Sequence, residues 1–505
     1  MCGFLISNNP RISSAESEVI HDSLRFRGPD YQSGLVGVNG WSVYHSRLSI
    51  LGLDESSNQP IINSDSSILV FNGEILNYES LGVKNFKRKY SSDTLLLNDL
   101  LLSDRLILEE LDGFFSFVFI SGNGSIRNVV RDKFGVKPLY FHTEGPYSTF
   151  SSEPNLLRKL FDLSINSEAI EEYRLTRSPI FSGSFYKDVK SVEPGECLIT
   201  GKYFDVVDHL GGTYEPISID NLAEGVDLGI NSRMISDTPV GLLLSKGVDS
   251  NLIRCRSKID RFYSIGFSGD HDIQWLSDKK FNGNLTVHTS SKEEFLTDFE
   301  YLLNLRGEPM SVPNEVLLYR IAKIAKSDGV KVLLSGEGAD EFFGGYDRIF
   351  SYGTQGEFDL DEFLQLYCYA KVSPQSNIYK KFQSLFEQVD HLSAFEKVRW
   401  FFIKFHMPIL FRRLDFALMA AGVEGREPLA NMHLFSRAVK MSPHQLMANG
   451  LGKVPLRKLL EESMGSEFPF EKKVGFPIDL TRVFNNPQNL KSYDIWFEKN
   501  LEVLL

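Results

Sequence analysis

Cysteine is scarce in this chain. Four occur among 505 residues, at positions 2, 197, 255 and 368, too few and too scattered for a disulfide framework or a zinc site. The ten histidines show no metal-ligand spacing either. No apolar run approaches the roughly 20 residues that a membrane-spanning helix needs, and no signal peptide precedes the first motif. Basic residues are in deficit, 54 Lys and Arg against 66 Asp and Glu for a net charge of −12, which argues against a nucleic-acid or anionic-membrane surface. There is no internal repeat and no low-complexity tract. These absences leave a cytoplasmic protein with no structural metal, no nucleic-acid partner and no membrane contact as the expectation. The length is too great for one hydrophobic core, so two or more domains are expected.

What is present concentrates in a few loops. Residues 240–244 are a short apolar run of the kind that suits a strand buried on both faces, and they break into Ser245-Lys246-Gly247-Val248-Asp249-Ser250. Small residues entering a helix at the carboxyl end of a strand offer backbone N–H groups to a phosphate. Asp249 suits the Mg²⁺ that such phosphates carry. Alone, this reads equally well as an ordinary strand-to-helix turn. A second stretch repeats the design: Val332-Leu333-Leu334, then Ser335-Gly336-Glu337-Gly338-Ala339-Asp340-Glu341. Two such loops on neighbouring strands would face each other across one nucleotide.

The chain opens Met1-Cys2-Gly3-Phe4. Methionine is normally trimmed before a small residue, which would leave Cys2 as the N-terminus. An α-amine with a pKa of roughly 8 can accept the proton of a thiol with a pKa of about 8.5, so one residue would supply both nucleophile and base. Five segments follow in order: Arg25-Phe26-Arg27-Gly28-Pro29-Asp30, His45-Ser46-Arg47, Phe71-Asn72-Gly73-Glu74, Ser91-Ser92-Asp93, and the run from Arg131 to Tyr140. Arg47 can pair with an α-carboxylate and Asp93 with an α-ammonium. Asn72 and Gly73 read as lying on a turn. Alternating runs at 68–71, 114–120 and 139–141 predict β-strands, and 93–103 predicts a helix. Turn-rich residues 211–216 mark a linker. Residues 262–267 predict a second buried strand and 317–326 an amphipathic helix, an alternation that supports a doubly wound parallel sheet. Beyond residue 358 the pattern is helical and aromatic.

The first group of segments resembles the glutaminase domain of class II, N-terminal-nucleophile glutamine amidotransferases, and the two serine–glycine loops resemble the ATP-pyrophosphatase module of the asparagine synthetase family. Arg413-Leu414-Asp415 and Val423-Glu424-Gly425-Arg426-Glu427-Pro428 are similar to a further block of that family. The resemblance implies a two-domain α/β protein: an α-β-β-α sandwich over 1–200, then an α/β ATP-pyrophosphatase domain with a parallel sheet and a helical C-terminal part over 216–505. It implies a glutamine-hydrolysing, ATP-consuming amidotransferase with ATP and Mg²⁺ as cofactors, and it admits a homodimer. By the same resemblance, Cys2 is the nucleophile, with Asn72 and Gly73 at the oxyanion and Arg47, Asn72, Gly73, Glu74 and Asp93 around glutamine. Leu243, Ser245, Gly247, Asp249, Ser250, Ile265, Ser335 and Gly336 surround ATP, with Asp249 and Asp340 on the metal. Glu337 is the base, and Lys473 in Lys472-Lys473-Val474-Gly475-Phe476 the electrostatic stabiliser. One departure stands out: Lys246 occupies a position where the family usually has glycine. If that position requires positive φ, lysine costs on the order of 1 kcal/mol.

The acceptor is a carboxylate, aspartate or a larger one. Members that make free asparagine often carry a threonine-rich segment with an arginine before the 317–326 helix. Here that segment is Arg306-Gly307-Glu308-Pro309-Met310-Ser311-Val312-Pro313-Asn314-Glu315, with no arginine between Glu308 and Glu315 and with Arg306 and Arg320 flanking them. Its prolines predict a rigid, open loop that admits a bulkier acceptor such as a sugar uronic acid of surface polysaccharide biosynthesis. A catalytically degenerate regulatory protein is the remote alternative and would show broken sites.

Overall fold

The computed structural model describes residues 2–279, 281–464, 478, 480–484 and 490–504. The N-terminal half places two antiparallel sheets face to face. The first has β1 (Cys2–Ser7) and β2 (Trp41–Arg47) at its centre; the second is centred on β3 (Ile68–Ile75), β4 (Gly113–Ile120) and β5 (Ile126–Arg131). Strands β6 (Tyr140–Glu144) and β7 (Tyr147–Ser151) continue the first sheet on the far side of β1. The period of two along each strand sorts the side chains. Phe4, Ile6, Val43, Ile68, Val70, Val118 and Val129 meet between the sheets, whereas Leu69, Phe71, Phe117 and Phe119 turn outward onto helix α1 (Asp93–Leu102). On the other face of β1, Leu5 packs in a cluster with Ile20, Leu24 and Leu157, so both faces are covered and all six of its residues are buried.

The second half is built on a parallel sheet of β8 (Val240–Leu243), β9 (Arg261–Gly266), β10 (Asn284–Thr289), β11 (Val332–Leu334) and β12 (Glu424–Arg426). Its spatial order is β10-β9-β8-β11-β12. The chain leaves β8 in one direction and returns to build β11 and β12 in the other, so the order reverses between β8 and β11. Ligands bind at such a switch point, and the two serine–glycine loops are the ones that leave these strands. Helices α2 (Val248–Arg256), α3 (Asn314–Ser327), α4 (Met407–Ala420) and α5 (Val454–Met464) surround the sheet. Among the described residues, no helix is long and apolar enough to cross a membrane.

The halves are joined by buried charge. Arg27 donates to Glu153 at 2.7 Å and to Asp415 on α4 at 2.8 Å, while Lys137 lies 3.2 Å from Asp415 and Arg412 donates to Glu153 at 2.6 Å. Buried cations and carboxylates interleave in this way because none could be held out of water unpaired.

Candidate active sites

The first site forms where β1 and β2 begin and end side by side. Strand register sets Cys2 opposite Arg47. The Cys2 N–H donates to Asn72 Oδ1 at 2.9 Å, so the other end of that amide, Nδ2, is the end left over, buried and without a hydrogen-bond partner. Asn72 and Gly73 do not lie on a turn, as the sequence suggested, but inside β3. Gly73 has φ 135° there, and a Cβ would stand 2.0 Å from the Phe114 carbonyl oxygen, so only glycine fits. Burial pushes the Cys2 thiol up, against the pull of the positive N-terminus and Arg47.

Arg47 donates to the carbonyls of Leu51 (2.9 Å) and Asp54 (3.0 Å), to the Asn58 side chain (2.9 Å) and to the Gly52 carbonyl. Among the described residues no carboxylate pairs with it, so neutral oxygens fix its direction and its charge is left over. Asp93, first residue of α1, accepts from Ile75 N–H at 2.9 Å and Thr94 N–H at 2.7 Å. Burial, then the neighbouring Asp93 and Glu424 carboxylates, push Glu74 well above the ordinary carboxylate range. A cation arriving between Glu74 and Asp93 would relieve that repulsion. Glu74 also lies 3.8 Å from Arg426, which is itself ion-paired with Glu424 on β12. Glu74 thus touches the parallel sheet of the second half.

The second site is the cleft between the β8 and β11 loops. Leu243, Ser245, Asp249, Ser250, Ile265, Ser335, Gly336, Glu337 and Asp340 line one cavity of about 170 Å³. Asn314 joins them with a buried Oδ1 that has no hydrogen-bond partner, an unmatched acceptor suited to a nucleotide's donors. Gly247 caps α2 rather than lining the cavity, and its N–H donates to Ser245 Oγ at 3.1 Å. The loops nearly touch: a Cβ on Gly336 would come 2.6 Å from that of Asp249. Lys246 is not among the residues with positive φ, so the lysine carries no left-handed strain and the departure from glycine is tolerated. Lys473 lies outside the described residues.

Lys453 is the residue that reading the sequence missed. Its Nζ sits 2.6 Å from Asp249 and 2.7 Å from Asp340. Two carboxylates converging on one cation fit a divalent ion that takes its remaining ligands from phosphate and water. Among the described residues no group of three or more His, Cys, Asp or Glu stands ready for a metal. A Cβ on Gly345 would lie 1.9 Å from Asp340 Oδ1 and 2.2 Å from Lys453 Cε, so this glycine makes room for the pair. The only hint in the sequence is the Gly450-Leu451-Gly452-Lys453 turn. Arg413 was likewise given no role, yet its guanidinium pairs with Glu337. Beside them Glu341, buried near Asp340, has its carboxyl pushed up to about 8 and accepts from Tyr346 Oη at 2.6 Å.

The 306–315 segment differs from expectation. It is not an open loop: residues 308–313 are buried, with the Met310 carbonyl accepting from Tyr173 at 2.8 Å and Trp496 at 3.1 Å. Arg306 is paired with Glu315 at 2.6 Å, and Arg320 with Asp298 at 2.6 Å. The sequence offered no view of these partners, because Trp496 and Tyr173 come from distant segments.

Comparison with known proteins finds matches to both halves of the chain. A glutamine amidotransferase domain model matches residues 1–205, and an asparagine synthase model matches residues 221–499. The chain is 26% identical to asparagine synthetase [glutamine-hydrolyzing] 1 of Bacillus subtilis over 97% of its length and 89% of that protein. It is 23% identical to asparagine synthetase [glutamine-hydrolyzing] 3 of the same organism over 94% of this chain and 85% of the relative. A putative asparagine synthetase [glutamine-hydrolyzing] 1 of Methanocaldococcus jannaschii is 29% identical over 66% of this chain and 63% of its own. With a model covering more than half of the chain and two loops meeting at the switch point of its parallel sheet, this protein belongs to the asparagine synthase family.

Proposed function

We propose that Cys2 takes ammonia from glutamine and that the second site joins it to a carboxylate activated by ATP. Glutamine is gripped through its α-carboxylate by Arg47 and through its α-ammonium by Glu74 and Asp93. The Cys2 thiolate attacks the side-chain amide, and Asn72 Nδ2 with the Gly73 N–H receives the oxyanion. The Cys2 α-amine takes the thiol proton and passes it to the departing nitrogen, so collapse expels ammonia and leaves a thioester, which water hydrolyses. At the second site ATP, a substrate, lies against Leu243, Ile265, Ser335 and Gly336, and its phosphates face Ser245–Ser250. Mg²⁺, held by Asp249 and Asp340, would neutralise the departing pyrophosphate. Ordinary carboxylates are too poor as electrophiles for ammonia, so the acceptor is first adenylated. Glu337, oriented by Arg413, takes the proton from the attacking ammonia, and Lys473 stabilises the charge that develops.

The observation that carries this reading is the Asn72 amide, with its oxygen committed to Cys2 and its nitrogen buried without a partner. Cys2→Ala tests it: glutamine hydrolysis is abolished, while synthesis from ammonium salts continues. Retained glutaminase activity would refute it.

For the acceptor, aspartate is the reading that the relatives' names supply. A larger carboxylate is favoured by one observation: Arg306 and Arg320 are both spent on internal carboxylates, which leaves neither for an amino acid's α-carboxylate. Intact residue sets at both sites speak against a degenerate regulatory protein.

A further inference from the structure

A second cavity, of about 540 Å³, adjoins the metal carboxylates and has no part in the steps above. One glycine separates it from them: Gly345 lines the cavity and packs against Asp340 and Lys453. Tyr346, on its wall, donates to Glu341 behind the ATP loop. The cavity is of the size that takes ring-bearing ligands.

Its lining is unusual in what it leaves unused. His406 is 2% exposed. Its Nδ1 lies 3.2 Å from the Tyr367 hydroxyl, and its Nε2 has no hydrogen-bond partner. Arg177 reaches in from the N-terminal half, 5.0 Å from the Tyr369 ring. Among the described residues no carboxylate pairs with it, and its buried Nε has no hydrogen-bond partner. Arg348 adds a second cation at the rim, donating among the described residues only to the Leu366 carbonyl at 3.4 Å. The acid on the wall, Asp347, already accepts from the Gly452 N–H at 2.9 Å. The cavity therefore sets two cations against one carboxylate, with a buried imidazole between aromatic rings. With Arg177 and Arg348 outnumbering Asp347, the balance of charge suits a ring carrying an anionic group better than a lone α-ammonium.

We propose that this cavity holds the distal part of the acceptor, and that the acceptor is a sugar acid carrying a phosphate or diphosphate remote from the carboxylate to be amidated. Arg177 and Arg348 take the phosphate, His406 Nε2 takes a ring hydroxyl, and Tyr346, Tyr367 and Tyr369 flank the ring. This rests on the reading of the second site as a carboxylate-activating one.

Calorimetry on the full chain reads binding without turnover. UDP-glucuronic acid and glucuronic acid 1-phosphate are the probes, and their comparison separates a nucleotide diphosphate from a simple phosphate. Either is expected to bind at least tenfold more tightly than aspartate or unphosphorylated glucuronic acid. Arg177→Met weakens the phosphorylated probe at least tenfold, Arg177→Lys restores most of the affinity, and Arg348→Gln, at an exposed position, weakens it severalfold without risk to folding. ATP binding and glutamine hydrolysis stay within twofold throughout. Equal binding of either phosphorylated probe by wild type, Arg177→Met and Arg348→Gln overturns the proposal, as does tighter binding of aspartate. Pyrophosphate release is measured in parallel. Its absence with every acceptor, despite Arg177-dependent probe binding, would refute carboxylate activation and leave the cavity assignment standing.

Discussion

Lys453→Met removes the cation that Asp249 and Asp340 share at 2.6 and 2.7 Å. Losing one partner of a buried ion pair costs about 3–5 kcal/mol. Asp340 is one-third exposed and is partly relieved by solvent, so about 3 kcal/mol is the working figure. Divalent cations can then enter where the ammonium stood. On the proposed assignment of Asp249 and Asp340 to the metal, a divalent ion in the wild type must first displace the lysine, and the same 3 kcal/mol corresponds to about a hundredfold weaker nucleotide-free binding. The variant should therefore melt lower than wild type in chelator. It should regain about 2.7 kcal/mol when free Mg²⁺ stands a hundredfold above its dissociation constant, whereas the wild type barely responds. Titration calorimetry with Mn²⁺ in the absence of ATP, alongside thermal unfolding with and without Mg²⁺, measures both effects. Lys453→Arg keeps the charge and should behave like wild type. Equal Mn²⁺ affinity in wild type and Lys453→Met would refute the idea that the lysine holds the metal's place.

Gly73→Ala places a methyl group 2.0 Å from the Phe114 carbonyl at φ 135°; about 3 kcal/mol of strain and overpacking is expected. Glutaminase activity should fall at least tenfold while ammonia-dependent synthesis persists, read by separate assays of the two half-reactions. Glu427 is buried with its carboxyl pushed up to about 8. Its folded state holds the proton more tightly than the unfolded chain, so that contribution to stability is complete below about pH 4.5 and is lost as pH rises through 8. Glu427→Gln should gain on wild type between pH 5 and pH 9, by no more than about 5 kcal/mol, and a stability difference flat across that range would contradict it.

Much of this protein was legible as a sequence because the chemistry is local there. The proposed phosphate loop Ser245–Ser250 is a strand end, a few small residues and a helix start, all within one short stretch. Cys2 announces itself by position, and the alternation of Ile68, Val70 and Leu69, Phe71 tells which face of β3 meets the other sheet. What only the tertiary structure decided are the partners brought in from afar. Lys453 reaches Asp249 across 204 positions, and no periodicity or turn signal can encode a charge pairing over that distance. Arg426 meets Glu74 because β12 ends against the first domain, and Arg306 and Arg320 lose their availability to Glu315 and Asp298. The open loop expected at 308–313 is a buried strut instead, because Tyr173 and Trp496 satisfy the Met310 carbonyl. Composition and local pattern determine which groups a chain has to spend on binding; burial and pairing decide which of them are still unspent.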